Sequence, residues 1–416
     1  MEKLDIDTAN ASPAVRSKAL HLLSAALLLT AFGATEAMAQ DTSTPAAAPA
    51  APAAPASAAM TTPAMAGPLS ANPNPFSVDL GDPLGKVYIG GAVSGMGYYQ
   101  SNPTKAAPGD VSSYLDLTNA QVTLQKTDGW FQYYVQAGEY SFPTIGSPYT
   151  KSSAATSANF GIVPVAYIKL QGDGDFADWS IQGGKLFTLT GDEYNFTFEN
   201  MNIERGLLWN IEPAVSRGVQ VNYSNGPLNV SLSWNDGYYS NVMNTLSGLV
   251  SYAFSSSDTV AFAGSGDVAG PHFSLLDSGS LYNLIWTHTS GNWVISPYFQ
   301  YSTTPANGKT VHGSTELGEA VLASYSVDDN WKLAARAEYE NSSGHNIATE
   351  PNVIGFGPGS NAWSLTFTPT YQLKLWFARM DVSYIQTGDA TAGDVFGKKL
   401  NATDQTRVML ETGIAF

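Results

Sequence analysis

The feature that most restricts this chain is a strict alternation in the lengths of the connections between its extended segments. Strands are predicted at 87–99, 113–126, 130–139, 162–170, 179–186, 216–224, 228–236, 245–254, 258–264, 280–289, 292–302, 315–326, 331–340, 361–370, 373–386 and 406–416. Short turns fall at Thr127-Asp128-Gly129, Gln171 to Asp178, Asn225-Gly226-Pro227, Ser255-Ser256-Ser257, Ser290-Gly291, Val327 to Asn330 and near Tyr371. Longer loops occupy 100–112, 140–161, 187–215, 237–244, 265–279, 303–314, 341–360 and 387–405. Long and short succeed one another along the whole stretch, and Gly, Asn, Asp and Pro at the short ones are tight-turn chemistry. A soluble sandwich or propeller has no reason for such order. An up-and-down barrel gathers every short turn at one rim and every long loop at the other.

The segments alternate in polarity with period two. Leu228, Val230, Leu232 and Trp234 oppose Asn229, Ser231, Ser233 and Asn235; Trp363, Leu365 and Phe367 oppose Ser364, Thr366 and Thr368. Strand 331–340 sets Trp331, Leu333 and Tyr339 against Lys332, Arg336 and Glu338. At the end of the chain, Val408, Leu410, Thr412, Ile414 and Phe416 alternate with Arg407, Met409, Glu411, Gly413 and Ala415. One face suits hydrocarbon and the other an aqueous lumen, so the fold class is all-β: a transmembrane antiparallel up-and-down barrel of about sixteen strands, an even number as such barrels require. Strand 258–264 is short, and parity changes near Thr118 and between Phe377 and Met380 predict bulges. An amphipathic last strand closing on Phe416 resembles the outer-membrane β-barrel proteins of Gram-negative bacteria. That resemblance implies that Phe416 is an assembly signal read by the barrel-assembly machinery. It also implies a place in the cell outer membrane among its lipid and lipopolysaccharide.

The front of the chain is of another kind. Residues 1–39 read as a cleaved signal peptide: Arg16 and Lys18, an apolar stretch from Ala19 to Phe32, then Ala37-Met38-Ala39. The apolar stretch is short of the ~20 residues that span a bilayer. Residues 40–80, rich in Ala and Pro, read as a disordered periplasmic leader that cannot bury enough apolar surface to order itself. The barrel is assigned 81–416. There are no cysteines, which removes disulfides and thiol chemistry. Residues 1–39 carry three basic and four acidic side chains, so their removal takes the formal charge from −16 to −15. An acidic chain of this kind excludes nucleic acid as a partner, since that requires a basic surface.

A barrel of about sixteen strands is too wide for its own side chains to fill and leaves an aqueous channel. The third long loop, 187–215, carries Asp192, Glu193, Glu199, Glu204 and Glu212 with Arg205, and Arg217 lies just beyond it. Its run Gly206-Leu207-Leu208-Trp209 needs burial. Folded inward, this loop would form a constriction, its carboxylates facing luminal Lys332, Arg336 and Arg407 across the pore; charge arranged in this way selects ions. Inward positions are chiefly Ser, Thr, Asn, Gln and Gly, suiting small hydrated solutes, and the net charge leans weakly toward cations. The stretches Met201 to Trp209, Ser216 to Tyr223 and Ser231 to Ser240 resemble the OmpL-like outer-membrane porins. This implies passive diffusion of small hydrophilic solutes and ions through a homotrimer, without a cofactor or a defined substrate. The alternative is a structural or adhesive barrel tethered to the cell wall. No catalytic residues are assigned: His288-Thr289-Ser290 falls at a short turn, with His288 on the lipid face. No metal site is assigned, because His272, His312 and His345 lie in separate loops without ligand spacing.

Overall fold

The computed structural model describes residues 69–70, 72–104, 110–269, 276–306, 312–344 and 350–416. The expected signal peptide, the leader up to Pro68, His272 and His345 lie outside them. A short strand β1 (Phe76–Asp79) precedes sixteen longer ones: β2 (Lys86–Gln100), β3 (Ser113–Lys126), β4 (Phe131–Tyr140), β5 (Val165–Gln171), β6 (Trp179–Phe187), β7 (Val215–Asn225), β8 (Leu228–Asn235) and β9 (Thr245–Ala253). The others are β10 (Asp258–Asp267), β11 (Ser280–Ser290), β12 (Trp293–Thr304), β13 (Ser314–Ser326), β14 (Trp331–Ser342), β15 (Asn361–Leu373), β16 (Trp376–Gly388) and β17 (Asp404–Ala415). From β2 onward each strand pairs antiparallel with the next, and β17 returns to β2 from Arg407↔Gln100 to Ala415↔Ala92. The sheet therefore closes and has no free edge, as lipid demands of any spanning strand.

Closure is finished at the C-terminus. Phe416 exchanges two backbone hydrogen bonds with Gly91, each 2.9 Å. Where β17 stops, β1 takes its place beside β2, pairing Phe76↔Ile89 to Asp79↔Lys86. Phe76 and Phe416 meet edge to face at 6.5 Å. Residues 76–79, which the sequence reading placed in the leader, thus carry the seam beyond the end of the chain.

Long and short connections alternate as expected. Two-residue turns at Gly226–Pro227 and Gly291–Asn292 use Gly at φ 55° and 56°, and at Lys374–Leu375 Lys374 takes φ 54° itself. The two faces also separate as expected. Leu232 and Leu410 are each 59% exposed, whereas Ser233 and Glu411 are 2% and 1% exposed. The bulge near Thr118 is present: Ser94 pairs with Asn119 and Gly95 with Leu117, leaving Thr118 as the extra residue. The second expected bulge is absent. β16 keeps one register against β15, the same from Leu373↔Trp376 to Thr370↔Arg379 as from Phe367↔Val382 to Asn361↔Gly388, because the turn at 374–375 absorbs residues the sequence reading gave to the strand. Phe377 consequently shares the inward face of Arg379 and Asp381 and is wholly buried. The short strand expected at 258–264 continues to Asp267.

Over one patch the inner wall departs from the expected Ser, Thr, Asn, Gln and Gly lining. Leu281, Ile285, Tyr298, Leu322 and Ile385 point inward and form one apolar cluster with Ile145, Leu207, Leu208 and Ile211 from the loops. Polar positions would be stranded opposite those apolar loop residues, so the part of the wall that meets them is apolar.

Candidate functional site

The loop between β6 and β7, residues 188–214, lies against inward-facing side chains of the barrel. Gly191 N donates to Asn283 Oδ1 of β11 (3.1 Å). A short 3₁₀ turn, Thr197–Glu199, then brings Thr197 to β17, where its hydroxyl donates to Glu411 Oε1 (2.7 Å) and accepts from Asn119 Nδ2 of β3 (2.7 Å). Arg379 of β16 donates to the carbonyls of Asn200 (3.1 Å) and Thr197 and pairs with Glu411 at 2.9 Å. Farther along, Asn202 Nδ2 donates to Thr368 Oγ1 (2.6 Å) and Glu204 N to Asp381 Oδ2 (2.8 Å). Gln300 Nε2 holds Leu208 O (3.2 Å), and Tyr298 OH donates to Glu212 Oε1 (3.3 Å). These partners all stand on β3, β11, β12 and β15–β17. The loop has no long regular element of its own, so the wall satisfies the backbone groups that a buried loop would otherwise orphan.

Arg336 of β14 ties the arrangement together. It is fully buried, and it donates to Glu193 Oε1 (2.6 Å), to Glu204 O (2.7 Å) and to Glu338 Oε2 (2.9 Å). Glu193 also accepts from Gly206 N (2.7 Å). Arg407 pairs with Glu204 and donates to the carbonyls of Thr144 (3.2 Å) and Ser147 (3.0 Å) in the preceding loop. Arg205 is wholly buried: Nε donates to Asn195 O (3.0 Å), and its backbone bridges Thr144 through Pro143 O and Ile145 N, both 3.0 Å.

The sequence-selected residues thus divide. Asp192, Glu193, Glu199, Glu204, Arg205, Glu212, Arg336 and Arg407 come together, all of them buried. The two arginines of the wall touch the loop carboxylates rather than facing them across a gap. Lys332 is inward-facing but apart from the others, its Nζ donating to Ser70 Oγ (3.2 Å). Arg217 shares the outward face of Val219 and Val221 at the loop end of β7, paired with Asp236 (3.0 Å) and 3.6 Å from the centre of the Tyr239 ring.

Sequence reasoning left out Arg379, Asp381, Glu316, Glu338, Glu340 and Glu411 as site residues. The first two follow Phe377 in β16, where a bulge was expected. The other four stand on predicted polar faces of strands, and that alternation was the signal available. Ten buried carboxylates now surround four buried guanidiniums: Asp192, Glu193, Glu199, Glu204, Glu212, Glu316, Glu338, Glu340, Asp381 and Glu411 against Arg205, Arg336, Arg379 and Arg407. Burial dominates the loop acids. It pushes Asp192 up to about 7, with Glu193 adding to the effect, and Glu199 up to about 8. Glu212 is raised well above its ordinary range by burial and then by Glu193. Burial lowers Arg205 to about 10.

Among the described residues, no group of three His, Cys, Asp or Glu could hold a metal ion. His288 sits at the turn end of β11, its Nδ1 2.8 Å from Asp258 Oδ1, far along the strand from the luminal cluster.

No curated protein matches the chain. Among solved structures it is similar to OmpT, an outer membrane protein of Vibrio cholerae, with a TM-score of 0.54 at 12% identity over 82% of this chain and 100% of that one. A structure of the same protein is described as a trimer form. An anion-selective porin from Comamonas acidovorans gives 0.53 at 12% identity over 79% and 99% of the two chains. Salmonella typhi OmpF, in complex with daunomycin, gives 0.52 at 14% identity over 80% and 98%. These likenesses are of fold. Residues 86–416 match the family described as "Putative beta-barrel porin-2, OmpL-like", and the chain therefore belongs to this family of outer-membrane β-barrel porins.

Proposed function

We propose that the barrel is a passive channel for small hydrophilic solutes and ions, constricted by loop 188–214 and leaning weakly toward cations. The excess of ten buried carboxylates over four arginines carries the charge preference. Burial keeps Glu199 and Glu212 largely protonated and Asp192 partly so near neutral pH, so the attraction for counter-ions of positive sign is weak there and grows as these acids ionise. The Comamonas relative is anion-selective by name, so the fold alone does not set the sign. Asp192, Glu193, Glu199, Glu204 and Glu212 are the acids of the constriction, and Arg336, Arg379 and Arg407 hold it in place. In this reading residues 1–39 are the export signal, the leader lies in the periplasm, and the turns face it. Phe416 is the residue that the assembly machinery reads, lipid and lipopolysaccharide surround the outer face, and the working unit is a homotrimer. The chain is not an enzyme in this account.

The test is the reversal potential of purified protein in a planar bilayer under a salt gradient. A potential of the sign set by cation flux, with openings grouped in threes, supports the proposal; one set by anions removes the charge assignment. A second reading, a structural or adhesive barrel tethered to the cell wall, draws on the apolar cluster that loops 141–164, 188–214, 343–360 and 389–403 build with the inner wall. Absence of any conductance would favour it.

A further inference from the structure

Leu69 and Ser70, ahead of β1, lie against inward-facing side chains of the barrel. Ser70 N donates to Gln372 Oε1 (2.7 Å), and Gln372 Nε2 donates back to Ser70 O (3.0 Å). One side-chain amide thereby satisfies both backbone groups of a single residue, as a neighbouring strand would. Lys332 Nζ adds a bond to Ser70 Oγ (3.2 Å). Gln372 and Lys332 share the inward faces of Thr370 and Arg336, so both are luminal and near the turn end. On its other side, Leu69 packs against the cluster of Ala92, Tyr140, Phe196 and Phe198, and the last two belong to loop 188–214. Asn72 Oδ1 then accepts from Asn74 N (3.0 Å), turning the chain toward β1 at the seam. Leu69 and Ser70 thus connect the inner wall of β14 and β15 to the loop that narrows the pore.

We propose that Leu69–Ser70 is a luminal strap, docked on Gln372 and Lys332 beneath loop 188–214, that narrows the periplasmic mouth of the channel and opens by release from Gln372. The inner wall at the turn end is then a docking site for extended backbone, and its occupant is Leu69–Ser70 of this chain. The inference rests on the channel reading and adds a gate to it. Because Gln372 meets only the backbone of Ser70, this docking depends little on which side chain the strap carries there.

The chain has no cysteine, so Ser70→Cys in the full-length protein creates a single reactive thiol. In planar bilayers, a charged methanethiosulfonate added on the turn side should produce a stepwise loss of current. Gln372→Ala, which removes both backbone bonds, should give larger unitary steps than the wild type. Current unchanged after modification verified by mass, with wild-type steps in Gln372→Ala, would overturn the strap and leave the channel standing. No current from the wild type or from either variant would overturn both.

Discussion

At the scale of single residues, the side of the wall on which a position falls decides what a substitution does. Leu232 faces outward and Ser231 inward, its hydroxyl donating to Asn222 Oδ1 (2.8 Å). Leu232→Arg should destabilise the barrel by about 2–4 kcal/mol if it lies at the bilayer midplane, read from urea unfolding in lipid vesicles. Ser231→Arg should change conductance more than stability. Equal behaviour of the two would contradict the facing. The buried loop acids add a pH dependence. Asp192 rises from an ordinary 3.8 to about 7 and Glu199 from 4.5 to about 8, so the folded state retains protons that the unfolded chain releases. These two groups therefore favour folding below their ordinary values, and that contribution is lost as pH rises from about 4 to about 8. Over the upper part of that window the lumen gains negative charge. Cation preference, followed as reversal potential against pH, should rise through pH 7 to 8, and a flat profile would contradict the role given to these two acids.

At the scale of elements, loop 188–214 is held by wall side chains more than by structure of its own. Leu207 and Leu208 are wholly buried, each worth on the order of 2 kcal/mol of apolar burial. Replacing both with Ser should loosen the loop, giving noisier and larger single-channel currents with the barrel still folded; currents identical to wild type would show that the loop does not limit flow. The strands themselves were legible because a wall between lipid and lumen imposes period two on every one of them. Thr118 betrayed its bulge through broken parity. Phe377 misled because an aromatic residue next to the turn at Lys374 reads as lipid-facing, whereas it is buried inside. The apolar inner wall was hidden for a related reason. Alternation tells which residues share a face, but not that a loop will cover that face. Strand β11 did carry a trace of it, since Leu281 and Ile285 are apolar on the face opposite Tyr282, Leu284 and Trp286.

For the molecule as a whole, the β17–β2 pairing closes the hydrogen-bond ladder, and the outer face is apolar enough to meet hydrocarbon. The interior holds polar and charged groups that only water, counter-ions or one another can satisfy. Whether water passes through is most directly measured by the swelling of vesicles containing the purified protein in isotonic neutral solutes of graded size. The account expects swelling that is fast for the smallest solutes and slows steadily as they grow. Swelling no faster than in protein-free vesicles, with the barrel shown to be folded and inserted, would contradict it.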